Sequence, residues 1–438
     1  MVEKDCIKEI AKRIMNILRN IHSIRSQFPS LSRTIDGKQA IYLDGPAGTQ
    51  VPQAVVNRIS DCMLNHNANR AGRFATSREV DEIMNQSHAV FADFLGTSSA
   101  DSIAFGPNMT TLTLQFSRAL SREWKSGDRI LVSSLDHDAN FTPWVLAARD
   151  AGAEVKVIEI HRPDATLDMD SLDGLLNDRT RLVAVTAASN AVGSLTSIRE
   201  IANRAHAVGA ELFVDAVHLA PHRLIDVVEL DCDFLVCSAY KFFGPHIGVL
   251  YGRRHRMLQL NPYKLRPAPE SLPGRWMTGT QNHACIAGAA AAVEYIASLS
   301  SIPADATNRR LRIQDAMNEI AQYETQLISH LIRGLSSVRG IKLFGITDSG
   351  RMDERAPTVC FQVAGIKSID VAQSLGDRGV FSWHGNYYAL PLTQSLGTEP
   401  DGMVRLGCMH YNMIEEIDVA IEHIGEIANS SNGSFIKH

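Results

Sequence analysis

The sequence lacks the features that mark secreted, membrane-spanning and zinc-binding proteins. Its seven cysteines are scattered without the paired spacing of a zinc site, so no metal is predicted. No run of about 18 apolar residues is present, which argues against a transmembrane helix. The first residues, MVEKDCIKEIAKRI, carry charges throughout and do not form a secretion signal. An odd number of cysteines without such a signal predicts reduced thiols and a cytoplasmic location.

Low net charge and a missing nucleotide-binding motif argue against two further classes. The formal net charge is only -5, so neither nucleic acid nor a membrane surface is expected as a partner. No G-x-G-x-x-G motif follows a strand pattern, which argues against a nicotinamide-dependent enzyme. At 438 residues with 45% hydrophobic side chains, the chain has the composition of a globular enzyme with more than one domain.

Short apolar runs alternate with helical patterns through the middle of the chain. The predicted strands begin at Ile103 and continue at Ile130–Ser133, Glu154–Ile160, Leu182–Thr186, Glu211–Val214 and Phe234–Val236. The intervening helical patterns cover about residues 109–122, 141–152, 169–177 and 197–208. This alternation predicts a parallel sheet covered by helices on both faces. Val249–Tyr251 is expected to add an antiparallel strand.

The flanking regions predict further units. Residues 3–27 predict an amphipathic helix, which either binds a partner or membrane or packs on its own protein or dimer mate. Further helices are predicted over 52–66, 79–95, 283–299, 305–336, 368–376 and 413–429, and strands over 342–344, 358–362, 380–382 and 403–406, with an irregular stretch at 255–280. The predicted division is a helical extension (1–40), a large domain (41–300), a small C-terminal domain (301–430) and a disordered tail (431–438).

The stretch from Glu211 to Lys241 brings an acid and a lysine to the ends of two predicted strands. Asp215 follows one apolar run, and Lys241 follows the run at 234–237. Because ligands in open α/β sheets sit at the carboxyl ends of strands, the two side chains are expected at one crevice. A positioned, desolvated lysine can form a Schiff base, and a buried carboxylate favours a cationic partner. An ordinary ion pair, or two helix caps, is the alternative.

Seven short motifs along the chain carry a family resemblance. In chain order they are Tyr42-Leu43-Asp44, Asp136-His137-Asp138-Ala139-Asn140 with Pro143-Trp144, Ser189-Asn190-Ala191-Val192-Gly193, Asp215-Ala216-Val217-His218, Ser238-Ala239-Tyr240-Lys241, Gly279-Thr280-Gln281-Asn282, and Arg405 with Tyr411-Asn412. With them the sequence resembles the class V aminotransferase family of fold-type I pyridoxal phosphate (PLP) enzymes, and within it the cysteine desulfurases, over about residues 42–424.

The resemblance implies a fold, a cofactor and an assembly. The fold is that of an α/β, fold-type I PLP-dependent transferase. Its large domain has a mostly parallel seven-stranded sheet between helices, and its smaller C-terminal domain is α+β. The cofactor is pyridoxal 5'-phosphate, and the substrate is a small-molecule amino acid. The family also implies a homodimer with shared active sites, in which Thr280 reaches the phosphate bound by the neighbouring subunit.

The resemblance assigns roles at the reacting centre. Lys241 would carry PLP as a Schiff base and remove the α-proton of the substrate. Asp215 would pair with the pyridine nitrogen, and His137 would stack on the face of the cofactor ring. Asn190 would hydrogen-bond near the ring hydroxyl or the substrate, and Arg405 would bind the substrate carboxylate. On their own, His137 and Asn190 are equally compatible with turns.

The remaining implied contacts concern the phosphate and the ring oxygen. The phosphate would be held by the free N–H groups at the start of a helix, contributed by Asn108, Met109 and Thr110. Ser238 and Tyr240 would add hydroxyl donors to the same phosphate. His218 would donate to the ring oxygen. Helix caps and a turn histidine are the structural alternatives for these residues.

Three positions depart from the cysteine desulfurases. The family's sulfur-accepting cysteine corresponds to Tyr388 when the loop is aligned on Gly385 and Ala389, so transfer through a protein persulfide is not expected. His218 stands where the desulfurases usually have glutamine, and Tyr240 stands where they usually have histidine. The candidates left for substrate binding are His384, Asn386, Tyr388 and Asn69, with Tyr387, Arg70 and Arg73 beside them.

The expected activity is that of a PLP-dependent lyase or transferase acting on an amino acid by α-proton abstraction. β-Elimination, as in a C–S lyase, is favoured over transamination or epimerisation. A non-catalytic protein that keeps only the fold is a third alternative. It is disfavoured by the joint presence of Lys241, Asp215, His137 and Arg405.

Overall fold

The structure is a computed structural model that describes residues 20–305 and 308–434, with side chains up to residue 430 in its last helix. Most of the amphipathic helix expected over 3–27 lies outside the described residues, although residues 20–25 are helical. Across the described ranges, none of the helices combines the length and the apolar character needed to cross a membrane.

The strands are short, as the apolar runs predict. In chain order they are β1 (Thr34–Ile35), β2 (Lys38–Gln39), β3 (Ile41–Tyr42), β4 (Ile103–Gly106), β5 (Arg129–Ser133), β6 (Glu154–Ile158), β7 (Ile160–His161), β8 (Thr166–Leu167), β9 (Thr180–Thr186), β10 (Glu211–Asp215), β11 (Phe234–Ser238), β12 (Gly248–Gly252), β13 (Ile341–Phe344), β14 (Thr358–Val363), β15 (Val380–Phe381), β16 (Trp383–Gly385) and β17 (Met403–Gly407).

The α-helices numbered here follow the first three strands in the chain. They are α1 (Gln53–Asn65), α2 (Ala75–Leu95), α3 (Met109–Leu120), α4 (Thr142–Ala151), α5 (Met169–Leu175), α6 (Ile198–Ala207), α7 (Val227–Leu230), α8 (Arg254–Gln259), α9 (His283–Ser298), α10 (Arg309–Ser337), α11 (Ser368–Asp377), α12 (Leu390–Ser395) and α13 (Ile414–Ser434).

The main sheet has seven strands in the order β4-β12-β11-β10-β9-β5-β6. Neighbours are parallel except at β12, which runs antiparallel to both β11 and β4. This confirms the α/β, mostly parallel seven-stranded architecture, including the antiparallel strand at Val249–Tyr251. The sheet is buried on both faces: Phe213 packs against Phe116 and Trp144 on one side, while Val214 belongs to the core on the other. Because both faces of the sheet are buried, its strands are continuous apolar runs in the sequence.

A second, antiparallel sheet is built from the C-terminal part of the chain, in the order β13-β14-β17-β16. Between the two sheets, β3 pairs in parallel with β15, and Asp44 bridges to Gly407. The strand predicted at Tyr42 therefore lies beside C-terminal strands, although the sequence pattern groups it with the large domain. Its pairing joins segments more than 300 residues apart, and such a pairing leaves no signal in local sequence patterns.

Two local predictions need correction, and one strand is not predicted. The strand predicted over 380–382 is β15, which pairs with β3, but the loop predicted after it contains the further strand β16, which joins β17 in the other sheet. The stretch at 255–280 contains the short helix α8. The final helix α13 continues to Ser434, so the first residues of the predicted tail are helical, and residues 435–438 lie outside the described part.

Gly248 supports the junction between β12 and the start of α3. A Cβ atom at this position would lie 2.6 Å from Asn108 O and 2.8 Å from Met109 N, both backbone atoms that cannot rotate away. We expect Gly248→Ala to lower the free energy of unfolding by about 1–3 kcal/mol, measured by urea denaturation. Gly174→Ala is the matched control, because nothing lies within 4 Å of its added Cβ. Equal stability of the two variants would contradict the expectation.

Candidate active site

A cavity of about 810 Å³ opens at the carboxyl ends of β9, β10 and β11. This is the edge at which open α/β sheets bind ligands. The predicted site residues that line it are Asn108, Met109, Thr110, His137, Asn190, Asp215, His218, Ser238, Tyr240, Lys241, His384, Asn386, Tyr388 and Arg405. Tyr387 lines it as well, whereas four candidates do not: Asn69, Arg70, Arg73 and Thr280 are exposed on the surface, away from the cavity lining.

Lys241 ends a single 3-10 turn directly after β11. Its Nζ donates hydrogen bonds to the carbonyl oxygens of Pro46 and of Ala47, the latter at 2.9 Å. Burial, helped by the positive charge of Arg405, lowers the pKa of Lys241 to about 7. A large fraction of this amine is therefore unprotonated near neutral pH, as a Schiff-base lysine requires.

Asp215 is the last residue of β10, and only 4% of its surface is exposed. One carboxylate oxygen accepts a hydrogen bond of 2.8 Å from Val217 N. Burial raises the pKa of Asp215 to about 6, against the opposing effects of that hydrogen bond and of Lys241. The described chain forms no direct ion pair between the two residues, because the lysine nitrogen turns to carbonyl oxygens instead. A buried carboxylate in this state favours a cationic ligand.

His137 and Tyr388 stack at the cavity wall. Their ring centroids are 5.5 Å apart with an interplanar angle of 25°. His137 Nδ1 accepts a hydrogen bond of 3.0 Å from Ala139 N. Burial, and secondarily the charges of Lys241 and Arg405, lower the pKa of His137 to about 4. The imidazole is neutral, which suits stacking on a flat, electron-poor ring.

The start of α3 provides part of an anion site. Asn108 caps the helix, with its side-chain oxygen accepting from Thr111 N at 2.8 Å. The sequence predicts that the Met109 N–H is free to bind the phosphate. In the structure it instead donates to Ser238 Oγ at 3.1 Å. Thr110 N–H has no acceptor in the described chain and remains available to an anion. Ser238 keeps its hydroxyl proton for donation.

Arg405 lies in β17, buried beneath the cavity. Its Nη1 donates to Asn190 O at 2.7 Å, and its guanidinium lies 4.2 Å from the ring centroid of Tyr387. No ion pair satisfies it in the described ranges, and burial lowers its pKa. Asn190 Nδ2 donates to Tyr387 O at 3.0 Å, whereas Asn190 Oδ1 is buried without a partner. The site therefore offers a free cation and a free acceptor to a ligand.

His218 is connected to a buried polar pair that sequence patterns did not reveal. His218 Nε2 lies 3.0 Å from Thr358 Oγ1, and burial lowers the pKa of His218 well below its usual range. Its ring is 5.2 Å from that of His222, whose Nδ1 lies 2.8 Å from Glu324 Oε2. Glu324 comes from α10, about 100 residues away in sequence, so only the folded chain brings the pair together behind His218.

Tyr240 lines the cavity, and its ring stacks on His246 at 4.8 Å with an interplanar angle of 13°. Burial raises the pKa of Tyr240, so the phenol stays protonated. It is available as a hydrogen-bond donor and not as a base at neutral pH.

No cysteine lines the cavity in the described chain. Cys360 is the neighbour of Arg405 on the paired strand β14, its Sγ donates to Ala191 O at 3.0 Å, and burial raises its pKa to about 12. Cys408 is fully buried, and burial likewise raises its pKa. Both thiols are therefore unreactive by burial and by protonation.

The residues at the cavity fit PLP. Lys241 supplies an amine for the aldehyde, and Asp215 supplies a buried carboxylate for the pyridine nitrogen. The neutral His137 ring, the free N–H of Thr110 and the unpaired Oδ1 of Asn190 match a flat ring, a phosphate and a hydroxyl. Fold and site together define a PLP-dependent enzyme of fold type I.

Comparison with known proteins gives the family. The sequence model of the family described as "Aminotransferase class-V" matches residues 41–419. The chain belongs to this family, whose members use PLP.

Relatives within the family are cysteine desulfurases. A probable cysteine desulfurase of Mycolicibacterium paratuberculosis is 31% identical over 93% of this chain, which spans 58% of that relative's length. A cysteine desulfurase of Yersinia pestis is 30% identical over 91% of this chain and 96% of its own. The apo cysteine desulfurase of Thermococcus onnurineus superposes with a TM-score of 0.83 at 26% identity, covering 93% and 98% of the two chains. The resemblance seen in the sequence is confirmed.

The lowered pKa of Lys241 predicts how the apoenzyme captures its cofactor. Only the neutral amine attacks an aldehyde, so the capture rate follows the unprotonated fraction of Lys241. We expect the rate of PLP capture, followed by its yellow colour, to rise with pH about a midpoint near 7 and then level off. Lys241→Ala should capture none covalently. A rate that keeps rising to the ordinary lysine pKa of 10.5 would contradict the prediction.

Proposed function

We propose that this protein is a PLP-dependent lyase that expels a β-substituent, most simply a thiol, from an amino acid. The observation that carries the proposal is the joint placement of Lys241 and Arg405 in a cavity that no cysteine of the described residues lines. The lysine provides a base of lowered pKa, and the arginine provides an unpaired cation for a carboxylate. Kinship with cysteine desulfurases supports chemistry at a C–S bond.

The chain's own groups divide the work. When bound, PLP supplies an electron sink next to the substrate's α-carbon. Arg405 would bind the α-carboxylate through its guanidinium and fix the orientation of the α-carbon. Lys241 Nζ would take the α-proton as general base. Asp215 would hold the proton on the pyridine nitrogen, and the neutral ring of His137 would cover one ring face and exclude water.

The fate of the substituent follows from the missing thiol. Loss of the α-proton leaves an electron pair that expels the sulfur substituent, so the C–S bond breaks and a thiolate departs. In a desulfurase a protein cysteine attacks the sulfur; here Tyr388 occupies the loop position assigned to that cysteine. The departing thiolate takes up a proton and leaves as a free thiol. The remaining three-carbon fragment is hydrolysed by water to pyruvate and ammonia, which balances the reaction.

Product analysis tests the proposed elimination. We expect the holoenzyme to convert cysteine S-conjugates to pyruvate, ammonia and free thiol in equal amounts. Lys241→Ala should lower turnover by roughly 10²–10⁴-fold, the usual contribution of a general base. Arg405→Gln should instead raise KM strongly, because it removes carboxylate binding.

The alternative branches give distinct products. A keto acid that retains the thiol would identify a transaminase, and a D-amino acid would identify an epimerase. A persulfide on Cys360 or Cys408 would contradict elimination to a free thiol. No conversion of any amino acid would leave a non-catalytic PLP-fold protein.

We further propose a homodimer with shared active sites. Apolar side chains are exposed on α1 and on the loop after it: Val56 (45%), Met63 (61%), Leu64 (81%) and Phe74 (57%). Such a group of exposed side chains favours a protein partner. Thr280 and Asn69 would then serve the neighbouring subunit's cavity, in keeping with their exposure. A cytoplasmic location stays a prediction from cysteine usage, supported by six free thiols in the described chain.

Mixed dimers test whether Thr280 acts across subunits. Lys241→Ala and Thr280→Asp, which would repel the phosphate, should each abolish activity when alone. Co-expressed with different tags, they should recover about a quarter of wild-type activity, because about half of random dimers are hybrids with one intact site. If Thr280 serves its own subunit, no site is intact and no activity returns. A monomer in light scattering would contradict the dimer directly.

A further inference from the structure

We propose that the outer part of the cavity is a subsite for a flat, unsaturated and non-anionic group on the substrate's β-substituent. The inference names the substrate class for the proposed function and rests on it. Tyr388 and Trp383 would form the binding wall, and Asp138 and Glu399 would set its charge preference. The preferred substrates would then be aryl or heteroaryl conjugates of cysteine, in place of cysteine itself.

Two large aromatic side chains are exposed where the cavity opens. Tyr388 is 72% exposed and Trp383 is 51% exposed, and both line the cavity. Their exposed ring faces gain contact only when a ligand covers them. A compact substrate such as cysteine has no group for those faces, whereas a planar substituent can stack on them.

The backbone at Tyr388 is held in a strained conformation by its surroundings. Tyr387 and Tyr388 have φ values of 56° and 59°, in the left-handed region that side chains other than glycine rarely adopt. Hydrogen bonds hold both residues there: Asp138 N donates to Tyr388 O at 2.7 Å, and Asn190 Nδ2 donates to Tyr387 O at 3.0 Å. Strain that the surrounding structure maintains is characteristic of functional positions.

Tyr388 continues the surface that begins at His137. The two rings stack at 5.5 Å and 25°, and His137 is the residue expected over the cofactor ring. In the proposed complex, a substituent that extends from the β-carbon past His137 would meet the phenol ring next. Trp383 in β16 pairs with Arg405 in β17. The second aromatic side chain of the wall therefore lies next to the residue expected to bind the substrate carboxylate.

The charges that remain exclude an acidic substituent. The lysine and arginine of the lining, Lys241 and Arg405, are engaged by the cofactor and the α-carboxylate in the proposed complex. Asp138 and Glu399 also line the cavity, and neither forms an ion pair in the described chain. Asp138 accepts from Thr142 Oγ1 at 2.9 Å, and Glu399 accepts from Asn386 Nδ2 at 3.2 Å. A second carboxylate in this region would meet like charges.

Equilibrium binding separates recognition from turnover. We would use the Lys241→Ala protein loaded with PLP and titrate it with S-methyl-, S-phenyl- and S-(carboxyphenyl)-L-cysteine, following the cofactor spectrum. S-phenyl-L-cysteine should bind at least ~10-fold tighter than S-methyl-L-cysteine. The carboxyphenyl conjugate should lose most of that gain.

Substitutions locate the effect on the named side chains. Tyr388→Ala and Trp383→Ala, each added to the titrated protein, should reduce the phenyl-to-methyl affinity ratio to about 3 or less. Tyr388→Phe should keep it, because the ring and not the hydroxyl forms the wall. Tyr263→Ala is the control, since Tyr263 is a comparably exposed aromatic side chain (60%) that does not line this cavity. A uniform loss for all ligands would indicate disturbance of His137 and overturn the subsite.

The outcomes distinguish the inference from the function it rests on. Equal affinities for the phenyl and methyl conjugates would overturn the subsite, even if wild type releases pyruvate from both. Tighter binding of the carboxyphenyl conjugate would overturn the charge preference. An affinity ratio that depends on Tyr388, in a wild-type enzyme that makes no pyruvate, would support the subsite and overturn the elimination.

Discussion

The active site depends on the burial of three ionisable groups, two at the carboxyl ends of parallel strands and one within the antiparallel sheet. Asp215, Lys241 and Arg405 are all withdrawn from water, and the shifts of their pKa values follow from that burial. Such groups are costly unless a ligand supplies the opposite charges. PLP offers a pyridinium to Asp215 and an aldehyde to Lys241, and an amino-acid substrate offers a carboxylate to Arg405. The main sheet holds Asp215 and Lys241 in place, and the antiparallel sheet, through β17, holds Arg405.

We propose that the loop from Asn386 to Ala389 separates this chain from the cysteine desulfurases it is similar to. In a persulfide mechanism this position needs an accessible thiolate. Here the loop presents a phenol, and it is tied to Asp138 and Asn190 in a left-handed conformation. The thiols of Cys360 and Cys408 are buried, and burial raises their pKa values, so neither provides an accessible thiolate. Kinship thus supports chemistry at the α-carbon, while the loop argues for a different fate of the sulfur.

Local patterns predicted the central fold well, because each strand of the main sheet is a buried apolar run between helices. They failed where pairing is long-range. The strand β16 lies in a stretch predicted to be a loop and pairs with β17, and β3 pairs with β15, which lies far along the chain. The same limit applies to the site. The oxygens of Pro46 and Ala47 that contact Lys241, and the His222–Glu324 pair, come from distant segments that carry no motif.

The sequence by itself determined the alternating α/β order, the acid and lysine at strand ends, and the family, since these reside in local periodicity and ordered motifs. Tertiary structure alone decided the electrostatics, because the pKa of Lys241 or His137 depends on burial and on charges from other segments. It also decided which candidates share one cavity, bringing Tyr388 onto His137 and leaving Asn69 and Thr280 on the surface. The candidates that line the cavity differ from those on the surface in their position in space, and not in residue type.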